Sequence, residues 1–207
     1  IALRQTFDFP GIGKEIPIYP YPHPEQLTLP RYLDVKNVTN KGSVLPIEYY
    51  KLTSEVCRLG LASKEPLEVK GQQVVPYDFA VAFIKTERER ILKETGFGAQ
   101  RGAMSIVVKG KKDGRALEHR IHTVSTSQAL GEGTGIPAAA GAIMMQQGMV
   151  NGKGVIPPEG CLNPRQFIDV YLPLAEAVDS EAGKTGETSV SIEQVDDQGN
   201  VTTMALT

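Results

Sequence analysis

The chain has 207 residues, 41% hydrophobic and 22% charged, the balance of a globular protein long enough to bury a core. A formal charge of −2 and the lack of a basic run exclude nucleic acid as a main partner. No stretch approaches the roughly 20 apolar residues that span a bilayer, so no membrane partner is expected. The two cysteines, Cys57 and Cys161, stand at no ligand or redox spacing. With no signal peptide in view, they fit a reducing, cytoplasmic setting. The first residue is Ile1 rather than methionine, which reads as a piece of a longer protein.

In chain order, residues 1–30 carry Pro10, Pro17, Pro20, Pro22, Pro24 and Pro30. So many prolines exclude a helix and predict an extended entry segment, or an edge strand near Ile16–Tyr19. Residues 31–207 then form the domain proper. Tyr32–Val38 alternates loosely as a strand. Pro46–Leu59 is predicted helical, because Tyr49, Leu52, Val56 and Leu59 fall on one face, and Gly60 closes it. Leu67–Val75 reads as extended. Pro76 and Asp78 open a second helix with Ala80, Phe83, Ile84 and Ile91 on its apolar stripe. The charges of its second half, Lys85–Glu94, read as a solvated face with pairs such as Glu89–Lys93. Met104–Val108 and Ala116–Val124 are strands about Asp113-Gly114, a strong hairpin signal. His119 and His122, three apart in the second strand, point to opposite faces and cannot share a metal. No metal site is expected.

From Leu130 to Gly160 the chain changes character, with no ionisable side chain between Glu132 and Lys153. Thr134 is placed to cap and Pro137 suits a first turn, so a helix is predicted over Ala138–Gln147 with Gly148 as its left-handed stop. A helix apolar nearly all round belongs inside a protein. Its first N–H groups, approached through Gly133, Thr134 and Gly135, would be free to hold a carboxylate or phosphate. Asn163 and Pro164 start a further helix through about Tyr171, which Pro173 interrupts. Ser180–Thr188 reads as a loop, and Ser189–Val195 with Val201–Leu206 as a second hairpin. This order of hairpins and helices predicts an α+β fold, a mixed β-sheet with helices on one face and the other face left for a dimer partner.

Gly131, Gly133 and Gly135 lack the lysine of a phosphate loop and the third glycine of a dinucleotide fingerprint, so no cofactor site is expected here. No nucleophile elbow occurs. Thr134 through Ala140, followed by Gly148 and by Lys153 through Glu159, resembles the C-terminal region of the saccharopine dehydrogenase-like family. That family shows a Thr-Gly-x-Pro-Ala-Ala helix start and a later Gly-Val-x-x-Pro-Glu turn. Lesser likenesses are Leu59 to Leu61, Lys70-Gly71 before Val75-Pro76, and the strand pair about Gly110 and Asp113-Gly114. The resemblance covers roughly residues 30–172.

It implies the second domain of an NAD(P)-dependent amino-acid oxidoreductase that acts on a CH–NH bond, as in lysine metabolism. This domain would bind substrate and build a homodimer, while a missing N-terminal Rossmann domain holds NAD or NADP. The fragment would bind no cofactor and be inactive alone. Where the family places an arginine for a substrate carboxylate, this chain has Thr39. Lys41 would supply charge beside it and Gly42 matches the family glycine, though a lysine lacks the bidentate fork of arginine. The implied substrate-binding residues are therefore Thr39, Lys41, Gly42, Gly133, Thr134 and Gly135. The alternative is a non-catalytic binding or assembly module on the same scaffold.

Overall fold

Asp113 and Gly114 both take left-handed backbone (φ 53° and 80°), which is what a two-residue turn between twisted strands requires. They join β6 (Gly102–Lys112) to β7 (Arg115–Ser125) in an unbroken antiparallel register from Gly102↔Ser125 to Lys112↔Arg115. The sequence predicted this hairpin, and it is longer at both ends. In this computed structural model, residues 4–98, 101–125, 129–181 and 188–204 are described, and of 129–132, 178–181 and 188–189 only the backbone. By internal contacts the chain forms two units, Ile1–Lys41 with Gln100–Thr207, and Gly42–Ala99.

In the first unit, β8 (Thr188–Val195) pairs antiparallel with β7, and β9 (Val201–Met204) with β8, giving a sheet of order β6-β7-β8-β9. The C-terminal hairpin is present and completes this sheet; the predicted strand beyond Met204 lies outside the described residues. Its turn is pinned by Asp196, whose carboxylate accepts from the backbone N–H of Gln198 and of Asn200 and from the Asn200 side chain. Those bonds, the Asn200 side chain first, hold the Asp196 carboxyl below its usual range. The fold is α+β as expected, with its four-stranded sheet antiparallel throughout.

The first thirty residues are more regular than their prolines implied. β1 (Gln5–Phe9) and β2 (Gly13–Pro20) pair antiparallel, so a strand is present over Ile16–Tyr19, with Ile16 and Ile18 buried, but it is the middle strand of a three-stranded sheet and not the edge expected. A helix, α1 (Glu25–Tyr32), follows despite Pro30 inside it. Proline forbids a helix only where its missing N–H and ring cannot be accommodated. Here Pro24 precedes the first turn, and the helix ends two residues after Pro30. The strand predicted over Tyr32–Val38 is absent. That stretch is the end of α1 and an irregular segment, and only Lys41–Gly42 is paired, as β3 beside β2.

The predicted central helix is present but begins earlier: α4 spans Ala129–Gln146, with Pro137 inside it. Gly148 ends it in left-handed backbone (φ 69°), with Gly148 N–H donating to Met145 and Met149 N–H to Met144, as predicted. Its burial is one-sided. Ile136, Ala140 and Met144, four apart, are buried, whereas Met145 is 71% exposed. α4 packs on α6 (Pro164–Glu181) and touches β6. Asn163 caps α6 by accepting from the N–H groups of Arg165 and Gln166, as predicted. Pro173 does not interrupt α6, which runs on to Glu181. The predicted Ser180–Thr188 loop lies largely outside the described residues. A short α5 (Pro158–Cys161), not foreseen, sits against α1.

The second unit is a pair of helices and a small hairpin. α2 (Ile47–Arg58) follows Pro46 and is closed by Gly60 (φ 81°), as predicted. Val56 is buried, but Leu59 is exposed. β4 (Leu67–Val69) and β5 (Gln72–Val74) turn at Lys70 and Gly71, both left-handed, a hairpin where one extended passage was expected. α3 (Pro76–Glu94) buries Ala80 and Ile91. Phe83, placed on that stripe from sequence, instead stacks outward on Phe79 at 6.0 Å between ring centroids. Its charged half is solvated as expected, though the pairs seen are Arg90 with Glu87 and with Glu94, not Glu89 with Lys93.

Candidate functional site

Strand register divides the four-stranded sheet into two chemically different faces, because side chains alternate sides along each strand. One face carries Met104, Ile106 and Val108 of β6, opposite Thr123, Ile121 and His119 of β7. These continue into Val190, Ile192 and Gln194 of β8, and Met204 of β9 lies opposite Ile192. Met104, Ile106 and Val108 are 57%, 46% and 52% exposed, and Val190 and Met204 are exposed too. The face is apolar and bears no acidic or basic side chain besides His119 over this span.

The other face holds a polar ladder. Ser105 Oγ lies 2.8 Å from Nδ1 of His122, which is only 4% exposed. The His122 Nε2 is 3.8 Å from a Glu193 carboxylate oxygen, and Arg120 reaches the same oxygen at 3.8 Å. Arg120 Nε donates to Glu118 at 2.6 Å, and Lys109 Nζ pairs with Glu118 at 3.0 Å. The β1–β2 hairpin lies over the His122 end. The Phe7 ring packs on His122, and a Cβ at Gly11 would touch Val124. Sequence reading put His119 and His122 on opposite faces, which the register confirms. It did not find the ladder, whose members Ser105, His122 and Glu193 sit on three strands and meet only once pairing is known. The order Ser–His–Glu is that of an acyl-transfer relay, but a 3.8 Å gap to the carboxylate lies outside hydrogen-bond reach. The ladder is therefore a structural cross-strand polar network, buried at His122 and open to solvent at Lys109.

Glu118 is the best-paired carboxylate of the ladder. The hydrogen bond from Arg120 holds its carboxyl below the usual range, against partial desolvation, with Lys109 adding to the effect. A carboxylate depressed in the folded state stabilises above its unfolded pKa, and that contribution is lost as pH falls through the folded value. Glu118→Gln is expected to lower stability at neutral pH by about 1 kcal/mol. It should also remove part of the loss of stability on acidification below about pH 4. Chemical denaturation of both proteins across pH 3–7 (roughly the carboxylate range) checks this; parallel curves would refute it.

The residues proposed from sequence occupy two places. Thr39 is exposed in the irregular stretch before β3, and half-buried Lys41 donates Nζ to Gln5 Oε1 at 2.6 Å. Gly42 opens the second unit. Gly133, Thr134 and Gly135 are exposed, but they lie in the second turn of α4 and not at its mouth. The expectation that Thr134 caps the helix is thus overturned. The chain keeps its helical path for eight residues before Pro137, so the N–H groups assigned to an anion stand inside the ladder of the helix. One further polar group stands out on α5. Glu159 Oε1 is buried with no hydrogen-bond partner among the described residues. Sequence reading reached Glu159 only as part of the family turn.

Neither unit offers a nucleotide cradle among the described residues. The glycines at 131, 133 and 135 are helical, and the sheet strands pair antiparallel where a dinucleotide crevice needs parallel strands. Among these residues no three metal-ligating side chains converge, and no helix is long and apolar enough to cross a membrane. The described residues thus form an α+β scaffold whose sheet carries one apolar face. No family model matches the chain. It is similar to a carboxyaminopropylagmatine dehydrogenase of Synechocystis sp., with 26% identity over 191 residues. The match covers 86% of this chain and 46% of that enzyme, so the chain spans about half the length of the curated relative it matches. The likeness is to a dehydrogenase in general, and it supports the saccharopine dehydrogenase-like resemblance at that level. That likeness relates the chain to oxidoreductases only in this general sense.

Proposed function

We propose that this chain is the substrate-binding and dimerisation part of an NAD(P)-dependent oxidoreductase of the saccharopine dehydrogenase-like kind, acting on the CH–NH bond of an amino-acid-derived amine. The observation that carries this reading is the alignment of 86% of the chain with 46% of a dehydrogenase. On this reading NAD or NADP is held by polypeptide outside the described residues, whose antiparallel sheet and helical glycines do not fit it, and no redox step is assigned to them. The relative's name joins a carboxyl and an amino group in one substrate. On our reading Lys41 meets such a carboxylate, exchanging its Gln5 contact for the substrate, with Thr39 beside it in sequence, and Gly133, Thr134 and Gly135 of α4 are a separate place at which substrate is met.

The test is turnover by the full-length protein with NAD(P) on saccharopine, carboxyaminopropylagmatine and lysine, followed through nicotinamide absorbance. No turnover on any of them would count against the reading. Thr134 is exposed, so Thr134→Val is expected to leave the fold intact and raise KM about tenfold, as loss of one hydrogen bond to a charged group does. An unchanged KM removes Thr134 from the site. A second reading, a non-catalytic assembly module, draws on the Lys41–Gln5 bond, which already occupies the lysine two residues after Thr39. It predicts a self-associating chain whose full-length form shows no thermal shift with any of these amines.

A further inference from the structure

The first turns of α4 are a poor helix by composition. Gly131, Gly133 and Gly135 stand within five residues, and Pro137 follows at the ninth position of the element. Glycine and proline are the two weakest helix formers, and Pro137 has no N–H to give to the carbonyl of Gly133. Glycine in a helix is usually explained by close packing or by a left-handed backbone. Neither applies here. A Cβ added at Gly133 or Gly135 would meet nothing within 4 Å, and neither residue has positive φ. The residues after Pro137 are different, for Ala138, Ala139, Ala140 and Ala142 are strong formers and Ala140 and Met144 are buried. Pro137 is also well placed for the first turn of a shorter helix, where a missing N–H costs nothing.

We propose that residues 129–136 exchange between the helix seen here and an unwound loop, with Pro137 lying in the first turn of the shortened helix. The glycines serve the unwound form. Unwinding frees the N–H groups around Gly133–Gly135 from the helical ladder and lets Thr134 turn toward them. The exchange is a property of this chain alone. Its consequence, that substrate meets these residues only in the unwound form, rests on the function proposed above.

Hydrogen–deuterium exchange resolved to single amides, on this chain without ligand, is the experiment. The amides of Gly133–Ile136 are expected to exchange at least about tenfold faster than those of Ile143–Gln146. In the double variant Gly133→Ala/Gly135→Ala they should slow by about 30-fold, the factor that two glycine-to-alanine replacements represent. Both positions have open space, so the variant folds. Equal protection from 133 to 146, or a double variant with unchanged exchange, would overturn the proposal. In the full-length protein the double variant is expected to raise KM for the amine severalfold. An unchanged KM with slowed exchange cuts the tie to substrate and leaves the exchange standing, whereas failure of turnover in the unmodified protein sinks the function and not the exchange.

Discussion

In the homodimer proposed above, Ile106→Lys is expected to turn a dimer into a monomer. Ile106 sits mid-strand in β6, opposite Ile121, and both belong to the apolar sheet face that runs from Met104 to Met204. A homodimer built on that face would bury Ile106 of both copies along the β6 border of the apolar patch. Strand spacing and rise make the apolar patch about 14–19 Å across and about 15 Å long, on the order of 250 Å². A stable interface removes about 800 Å² from each partner, so the patch is the size of an interface core and needs a rim around it. Rim material is at hand where β6 and β7 run past the last β8 pair at Glu118↔Val195 and project as a two-stranded ribbon bearing Lys111, Lys112 and Arg115.

An ammonium forced into such a core loses its hydration for no partner, at several kcal/mol per ion. The dimer dissociation constant is therefore expected to rise at least about 100-fold. The fold should survive, since Ile106 is 46% exposed in the single chain and surface changes of that kind stay within about 0.5 kcal/mol. Sedimentation equilibrium at micromolar concentration measures both species. A wild-type protein that is monomeric there, or a variant that dimerises unchanged, would mean that some other surface joins the copies or that none does.

What could be read from the chain beforehand follows the range of the interactions involved. The β6–β7 turn, the Gly60 and Gly148 stops and the Asn163 cap depend on residues within a few positions of one another, and each was legible. The β1–β2 pairing was half-legible, because the prolines that argued against regular structure sit in β2, beside turns or at the edge of α1. The start of α4 was misjudged for a physical reason. Local propensity favours a helix beginning near Pro137, while the structure extends it back to Ala129, and propensity is a weak prior that tertiary context overrides. The polar ladder was out of reach altogether. Nothing in the spacing of Ser105, His122 and Glu193 predicts that three strands will align them, whereas the opposite-face placement of His119 and His122 needed only the strand period.

The same lesson gives the largest stability effect expected in the molecule. Met144 and Met145 are neighbours in one helix, in a stretch whose composition predicts burial all round, yet Met144 is fully buried and Met145 is 71% exposed. Truncating Met144 to alanine removes buried apolar surface and leaves a cavity between α4 and its packing partners, which costs about 2–5 kcal/mol. Met145→Ala removes only side chain that already faces water, and the better helix propensity of alanine offsets part of that loss, so its effect should stay within about 0.5 kcal/mol. Urea denaturation of the two variants side by side reads the difference as a shift in midpoint at constant slope. Unequal losses in this direction fix α4 as a one-faced helix whose buried stripe runs through Ile136, Ala140 and Met144. If Met145→Ala proved as damaging as Met144→Ala, the exposed side of α4 would have to be covered in solution, and the proposed homodimer would have to be sought on the helix rather than on the sheet.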